Sequence, residues 1–443
     1  MIITSFKQQN LRHYHFNELT YKVRNISEPK LIRNVATCFI TKNKVKICLA
    51  NTAVLLFFCH PSHASIVGKM IRPYMSYTML ADDNILRIRD NIDSQALPNI
   101  NTNNLFDISH RITGGAVFDK KISRQHLSAN GSWSHTRFEK FNSLNNKAID
   151  LNGNWNWVLG NHLEGNIGTN FNKGQAPFLF QPGIKNITTQ QTEYFNFSWH
   201  FHPSWKWRGD YTHFNFKSDN QRLQFQNRIE NRFETGFDYV ASSGSTIGIQ
   251  YRNIQGKFTM PIPISNRINN YDQNEIKGKI NWLLTGKSRV EFLGGWVERR
   301  NTFLSSNDFS GLNARLTYAW KPTSKIDMRL TGRRETVAIQ SLNANFAVIT
   351  GINVSSNWRL TEKTKISGNF SYQSQKLDRF TNQNSNGNHN NIITASIGLT
   401  YAPYPGIEVN TSVLHNSLST NSPLGGFNAN GATINIRYIL GRP

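Results

Sequence analysis

The sequence predicts an all-β protein, a transmembrane antiparallel up-and-down β-barrel of about 16–18 strands in the outer membrane of a Gram-negative cell. Three observations support this fold class. Apolar and polar residues alternate along many short stretches, the connections between these stretches alternate between short and long, and a secretory signal peptide precedes them. The predicted domains are residues 1–64, an N-terminal extension with the signal peptide, and residues 65–443, the barrel.

The N-terminal segment has the three parts of a secretory signal peptide. A lysine-rich stretch at 42–46 precedes the apolar run 47–58, and the small residues Ser62 and Ala64 follow it. The run is too short to cross a bilayer as a helix, which needs about 20 apolar residues. A buried apolar strand is the alternative interpretation. We expect cleavage after Ala64.

All three cysteines lie inside this presequence, at Cys38, Cys48 and Cys59. The mature chain would therefore have no disulfide, no thiol nucleophile and no cysteine-bound metal. Cys59 invites an alternative interpretation as a lipidation site. Phe57 and Phe58 weigh against it, because they occupy positions where a lipidation motif needs small residues.

Strand patterning is clearest between residues 310 and 335, which read SGLNARLTYAWKPTSKIDMRLTGRRE. Leu312, Leu316 and Trp320 share one parity, while Arg315 and Thr317 share the other. A period of two places the two sets on opposite faces of a strand. In a membrane barrel the apolar face contacts lipid and the polar face lines a lumen.

The connections alternate in length along the mature chain. Counting strands from 71 to 440 gives 18, and an even count places both ends of the chain on one side. Long polar segments separate the short turns, which are centred near Lys121, Gly160, Pro203, Ser243, Gly286, Thr323, Glu362 and Pro405.

A soluble β-sandwich also alternates, and it is the competing fold. The signal peptide and the cysteine-free mature chain weigh against it. So do aromatic residues at strand ends, where a membrane-interface girdle would lie: Trp155, Trp157, Trp205, Trp207, Trp282, Trp320, Trp358 and Tyr401.

Basic residues on the predicted inner face are the candidate transport path. They either hydrate the lumen or guide an anion. The set comprises Arg111, Arg252, Lys277, Lys279, Arg315, Arg329, Arg333, Arg359 and Arg437. On one further strand, Glu230, Arg232, Glu234 and Asp238 alternate on the same face, which predicts cross-strand ion pairs that stiffen the wall.

Two short motifs resemble functional sites, but each has a simpler structural explanation. The Gly-Lys-Ser at 286–288 lacks the first glycine of a phosphate loop and precedes a strand, so we expect a turn. His200 and His202 could share a metal, but no third ligand is evident. We therefore expect both histidines to be polar residues of the lumen face near its rim. No catalytic Ser, His and carboxylate set stands out, so the sequence predicts no enzyme, no metal and no cofactor.

Four segments resemble the EpsL family: 74–90, 232–253, 282–300 and 307–325. Members of that family are outer-membrane barrels associated with exopolysaccharide biosynthesis loci that also carry exosortase B. The resemblance covers nearly all of the mature chain, and it implies a role in passing or handling a secreted polysaccharide. It carries no catalytic motif.

The hypothesis from sequence is a channel that conducts or guides an acidic exopolysaccharide. Expected partners are that polymer, outer-membrane lipids and periplasmic polysaccharide export proteins. The formal charge of +23 would also suit nucleic acid, but an outer-membrane location excludes it. The alternatives are a general or small-solute porin and a barrel enzyme that modifies polysaccharide.

We predict that the mature protein begins at Ser65, because Ala64 ends the lysine-rich, apolar and small-residue series. N-terminal sequencing of the protein from an outer-membrane fraction measures this directly. A mature chain that retains Cys38 or Cys48 would refute the signal-peptide interpretation.

Overall fold

The computed structural model describes residues 70–89, 104–179, 181, 183–262, 266–303, 305, 308–339, 344–379, 389–421 and 425–440. The predicted N-terminal extension and signal peptide, residues 1–64, lie outside the described residues. Within the ranges given, no helix has the length and the apolar content to cross a membrane.

Eighteen β-strands follow one another along the chain. They are β1 (Ile71–Asp82), β2 (Asp107–Ile122), β3 (Gln125–Phe138), β4 (Asn146–Leu159), β5 (Leu163–Gln175), β6 (Ile187–His202), β7 (Trp205–Ser218), β8 (Arg228–Val240), β9 (Thr246–Phe258), β10 (Tyr271–Thr285), β11 (Ser288–Asn301), β12 (Phe309–Thr323), β13 (Ile326–Ala338), β14 (Ala344–Arg359), β15 (Thr364–Arg379), β16 (His389–Tyr401), β17 (Ile407–Thr420) and β18 (Phe427–Ile439). In the described part of the chain, two short 3-10 helices, Asn142–Leu144 and Gln221–Gln226, lie in connections.

The sheet is closed into a barrel. Each strand pairs antiparallel with its neighbours in sequence, and β1 also pairs with β18, where Tyr74 lies opposite Ile439 and Asp82 opposite Gly431. Closure leaves no strand edge of this sheet unpaired, as hydrocarbon surroundings require. The predicted fold class, an antiparallel up-and-down barrel, is confirmed with 18 strands.

The alternation of connection lengths is confirmed as well. Each even-numbered strand up to β16 joins the next strand through a short turn, and the connections after the odd-numbered strands are longer with one exception. The β13–β14 connection, 339–343, is as long as the β8–β9 and β16–β17 turns. Gly286 and Lys287 form one of the short turns, between β10 and β11, so the Gly-Lys-Ser sequence lies in a hairpin. Gly160 and Gly406 have φ of +59° and +84° in two other turns, a conformation that glycine adopts without strain.

The outward side chains form an apolar surface. On β12, Leu312 and Leu316 are 52% and 50% exposed, while Asn313 and Thr317, which directly follow them in sequence, are 2% and 6% exposed. Large aliphatic side chains recur at the outward positions of the other strands. A contiguous apolar surface of this extent requires a lipid environment.

Aromatic side chains border the apolar surface at both ends. At the short-turn end the exposed aromatic residues include Trp155, Trp199, Trp205, Trp282, Trp320, Trp358 and Tyr401. Nearer the long connections lie Tyr77, Trp133, Tyr211, Tyr251, Trp296 and Tyr372. Such paired belts mark the two membrane interfaces of an outer-membrane barrel.

Trp157 departs from the predicted girdle. Its side chain is only 7% exposed, because it lies over Gly165 of β5 and stacks on Phe195, with ring centroids 6.1 Å apart. Trp207 is half-buried, and its indole N–H donates to the Thr235 hydroxyl at 2.8 Å. These two rings pack on neighbouring side chains of the wall.

The height of the apolar band follows from the register of β11 and β12. Trp296, in the upper belt, lies opposite Leu312, and Trp320, in the lower belt, lies opposite Ser288. The span of β12 from Leu312 to Trp320 rises about 3.4 Å per residue and tilts by about 40°, so the band is about 20 Å tall.

Connections at the long end pack into apolar clusters. Ile85, Leu86 and Ile88 of the β1–β2 connection are buried against Phe138, and Phe178 of the β5–β6 connection joins them. The Gly183 N–H donates to the Leu86 carbonyl at 2.9 Å, which ties the two connections together. Phe138 occupies an inward position of β3, so this loop cluster lies on the lumen side of the wall.

We predict that Leu151→Arg destabilises the barrel by about 2–4 kcal/mol, because Leu151 faces lipid near the middle of the band. Its matched control is Asn152→Arg, one residue further along β4, where the side chain points into the lumen and is exposed. The free energy of unfolding in lipid vesicles, measured by urea titration, should change little for the control. Equal losses at the two positions would contradict the assignment of faces.

Candidate functional site

The nine basic residues predicted from sequence all lie at inward-facing positions of their strands. On each strand they share the parity opposite to the exposed aliphatic and aromatic residues. They are Arg111 on β2, Arg252 on β9, Lys277 and Lys279 on β10, Arg315 on β12, Arg329 and Arg333 on β13, Arg359 on β14 and Arg437 on β18. Their role in transport stays a prediction.

Five of the nine form ion pairs with carboxylates, and three of these five, Arg252, Lys277 and Lys279, lie on β9 and β10. Arg252 lies directly opposite Glu234 of β8 and Glu275 of β10, and its guanidinium reaches their oxygens at 2.6 and 3.4 Å. Lys277 contacts Glu275. The sequence pattern predicts these basic residues as a group separate from the acidic strand, whereas the structure joins them to it.

Asp238, at the short-turn end of β8, lies close to three cationic side chains. Arg208 of β7 approaches it at 2.8 Å, Lys279 of β10 at 3.5 Å and Lys206 of β7 at 3.8 Å. The Asp238 side chain is almost completely buried beneath them. The predicted cross-strand pairing therefore extends over four adjacent strands.

At the other end of β8 the pairing runs along the strand. Glu230 accepts a hydrogen bond from Arg228 at 2.7 Å and contacts Arg232. The side chains of Glu230 and Arg228 are both 2% exposed. We call the whole set the charge ladder: Lys206, Arg208, Arg228, Glu230, Arg232, Glu234, Asp238, Arg252, Glu275, Lys277 and Lys279.

A second sector of the wall is less neutralised. Arg315 and Arg333 lie directly opposite each other on β12 and β13, and both approach one carboxylate, Glu335, at 2.7 and 3.9 Å. Arg329 lies on the same inward face, four residues before Arg333. Two guanidinium groups that share one carboxylate retain net positive charge. We call Arg315, Arg329 and Arg333 the arginine wall.

The remaining predicted residues have local partners. Arg111 donates from Nε to the Thr136 hydroxyl at 2.9 Å. The Arg437 guanidinium lies 4.1 Å from the centre of the Tyr74 ring, a cation–π distance. Arg359 hydrogen-bonds the Ser324 carbonyl at the short-turn rim. These three residues hold neighbouring strands together as well as facing water.

A third sector is rich in side-chain amides. Asn154 accepts a hydrogen bond from Tyr194 at 2.9 Å, and Asn166 donates to Asn196 at 3.0 Å. We call the inward amides of β4 to β6 the amide wall: Asn152, Asn154, Asn156, Asn166, Asn170, Asn172 and Asn196. The alternating asparagines were visible in sequence, but their assembly into one surface depends on pairing between strands.

A recess of about 500 Å³ opens where the amide wall meets the charge ladder. Asn156, Asn166 and Asn196 line one side of it, and Arg208, Asp210 and Glu234 line the other. A solute in this recess can therefore contact both charged side chains and amides that hydrogen-bond hydroxyl groups.

The arginine wall and the amide wall lie across the lumen from each other. In the closed order of strands, β13 is nine places from β4, which is half of the circumference. Arg333 of β13 and Asn154 of β4 thus approach a solute from opposite sides. The lumen offers cations on one side and mainly amide donors and acceptors on the other, together with the carboxylates Asp150 and Glu164.

His200 and His202 do not form a metal site with a third ligand. His202 accepts the Ser204 N–H through Nδ1 at 3.1 Å, at the turn between β6 and β7. Across the described ranges, no group of three or more His, Cys, Asp or Glu side chains could hold a metal ion.

Residues 265–439 match a sequence family described as "Putative beta-barrel porin 2". No curated protein matches the chain. The fold, the lipid-facing band and the family match together describe a porin-like outer-membrane barrel.

Several solved structures align with most of this chain at low sequence identity. Pseudomonas aeruginosa OccK2 (OpdF) aligns over 84% of this chain and 98% of its own, with 8% identity and a TM-score of 0.45. OccK1 (OpdK) of the same organism aligns over 84% and 99%, with 10% identity and a TM-score of 0.45. Acinetobacter baumannii OccAB3 aligns over 84% and 98%, with 8% identity and a TM-score of 0.43.

We predict that Glu230→Gln destabilises the barrel by about 3–5 kcal/mol, because it leaves the buried Arg228 guanidinium without its counter-charge. The matched control is Glu298→Gln, which breaks an exposed pair with Arg300 on the outer face. The measurement is the free energy of unfolding in vesicles, which the control should barely change. A loss for Glu230→Gln no larger than that of the control would mean that the charge ladder does not stabilise the wall.

Proposed function

We propose that this barrel conducts an acidic exopolysaccharide across the outer membrane. The observation that carries the proposal is the position of the arginine wall across the lumen from the amide wall. An acidic polysaccharide presents carboxylates and many hydroxyl groups along one chain. Guanidinium groups suit the carboxylates, and amides suit the hydroxyls.

Electrostatics support passage of an anion. Moving a polyanion from bulk water into a narrow channel costs free energy, and fixed cations along the path lower that cost. Because Arg315 and Arg333 share Glu335, the wall attracts the polymer only moderately. Moderate attraction suits a channel, since a transported chain must also leave.

The resemblance of four segments to the EpsL family supports the polysaccharide as cargo, because that family is associated with exopolysaccharide biosynthesis. The proposed partners are the polymer itself and periplasmic polysaccharide export proteins. The proposed mechanism has no chemical step: the wall lowers the free energy of a passing chain, and no bond forms or breaks.

One observation favours a second candidate, a small-solute porin. The loop cluster around Leu86 and Phe178 packs against Phe138, which occupies an inward position of β3 at the long-loop end. We infer from this position that the cluster narrows the mouth of the lumen. A narrower mouth suits single sugars or other small anions better than a polymer. The two candidates share the arginine wall and differ in the size of the solute.

We predict that the triple substitution R315Q, R329Q and R333Q lowers the anion-to-cation permeability ratio in planar bilayers, because it removes the cations of the arginine wall. A matched control, R300Q with R334Q and K376Q, removes three basic side chains from the outer face of the same sector. Its permeability ratio should stay at the wild-type value. Equal ratios for the two triple variants would refute a selective arginine wall.

Cargo size separates the two candidates. A linear acidic oligosaccharide, such as decagalacturonate, should enter from one side of a planar bilayer and interrupt the ion current for longer than galacturonate does. In cells, deletion of the gene should reduce surface exopolysaccharide, and the triple arginine variant should fail to restore it. Normal polysaccharide secretion combined with loss of small-solute uptake would favour the porin.

A further inference from the structure

A cluster of basic residues lies on the outer face of the barrel, above the lipid-facing band. Arg137 of β3, Lys147 of β4 and Lys173 of β5 share the outward parity of Trp133, Ile149 and Phe171 on the same strands. All three are exposed. We call Arg137, Lys147 and Lys173 the outer basic cluster. It belongs to the outside of the wall and has no part in the lumen path.

Strand register brings the three cations close together. His135 lies directly opposite Lys147, so Arg137, two residues further, is its diagonal neighbour. Ile149 lies opposite Lys173, so Lys173 is the diagonal neighbour of Lys147 on the other side. Diagonal positions in an antiparallel sheet are about 7–8 Å apart, within reach of long side chains. Three like charges at this spacing repel one another unless an anion lies between them.

No carboxylate in the described part of the chain forms an ion pair with any of the three. Glu139, two residues beyond Arg137, bonds His110 at 2.9 Å. Glu193, on the neighbouring β6, accepts a hydrogen bond from Gln191 at 2.7 Å. Above the cluster, Lys185 adds a further cation, whose amino group donates to the Ser143 and Asn145 carbonyls.

The height of the cluster matches a lipid head group. Trp133, in the upper aromatic belt, is four residues below Arg137 on β3, which places the guanidinium about 10 Å above the edge of the hydrocarbon. Cations just beyond the interface attract anionic head groups. The cluster is therefore at the level where phosphates of the outer leaflet lie.

We propose that the outer basic cluster binds the phosphate groups of a phosphorylated glycolipid in the outer leaflet. The partner is a bis-phosphorylated disaccharide with several acyl chains, which lie against Ile149, Leu151 and Phe171 below. A soluble phosphate would lack the apolar contact, and a neutral lipid would lack the charge. A lipid with both parts uses the cations and the apolar wall together.

Outward basic residues above the upper aromatic belt also occur on other strands, but they are further apart. Arg300 and Lys376 follow the belt residues Trp296 and Tyr372 after four residues on β11 and β15, and Lys217 and Lys257 occupy outward positions near the long-loop ends of β7 and β9. In this sector Glu298 neutralises Arg300 and Asp272 lies nearby on β10. Among the described residues, only β3 to β5 place outward cations on three consecutive strands, and the proposal therefore assigns the site to this sector.

The test uses the mature, folded protein in detergent and native mass spectrometry with hexa-acylated, bis-phosphorylated lipid A as the probe. Wild-type protein should retain this lipid with at least roughly tenfold higher affinity than the same lipid stripped of both phosphates. Phosphate buffer at millimolar concentration should not displace it, which separates a lipid site from a free-anion site.

The variant R137Q with K147Q and K173Q should lose roughly tenfold in affinity for the bis-phosphorylated lipid. A matched control, K287Q with K325Q and K363Q, removes three exposed lysines from the short turns at the opposite rim and should retain wild-type affinity. Heat-modifiable mobility on gels reports whether each variant is folded. If the cluster variant does not fold, the comparison of the two lipids on wild-type protein still tests whether binding depends on the phosphates.

Two results would overturn the proposal. One is equal retention of phosphorylated and dephosphorylated lipid by the wild type. The other is equal loss of affinity in the cluster variant and the short-turn control. Either outcome leaves the proposed transport function unaffected, because the arginine wall lies inside the lumen and is tested by ion permeability.

Discussion

The pairing of β1 with β18 is the constraint on which the rest of this structure depends. Hydrocarbon offers no partner for a backbone N–H or carbonyl, so a sheet in the membrane has to close. The Asn435 amide also donates to the Thr78 hydroxyl at 2.7 Å across this seam. Closure fixes the two faces of every strand, and it thereby assigns each side chain either to lipid or to the lumen.

Once the faces are fixed, charge has only one inexpensive location within the height of the membrane, and that is the lumen. The charge ladder and the arginine wall use this location differently. Arg252 lies between two carboxylates and stiffens the wall, whereas Arg315 and Arg333 compete for Glu335 and keep positive charge available to a solute. The same residue types therefore have two effects. An arginine with two carboxylates strengthens the wall, whereas two arginines with one carboxylate attract an anionic solute.

The sequence predicted the barrel well because its signals are local. The alternation in β12 and the short turn at Gly286 each depend on a few consecutive residues, and both are confirmed. The ion pairs of Arg252 could not be predicted, because they depend on the register of three strands. Trp157 was placed wrongly in the girdle, because its burial depends on Gly165 and Phe195 of other strands. The amide wall could not be predicted either, because it also depends on contacts between strands.

The apolar band of about 20 Å has a consequence for where the protein resides. A typical bilayer has a hydrocarbon core about 30 Å thick, whereas the bacterial outer membrane is thinner than average. Each ångström of hydrophobic mismatch costs a fraction of a kcal/mol, either in bilayer deformation or in exposure of polar wall to hydrocarbon. The spacing between Trp296 and Trp320 therefore sorts the protein by membrane thickness, and it disfavours residence in the thicker inner membrane.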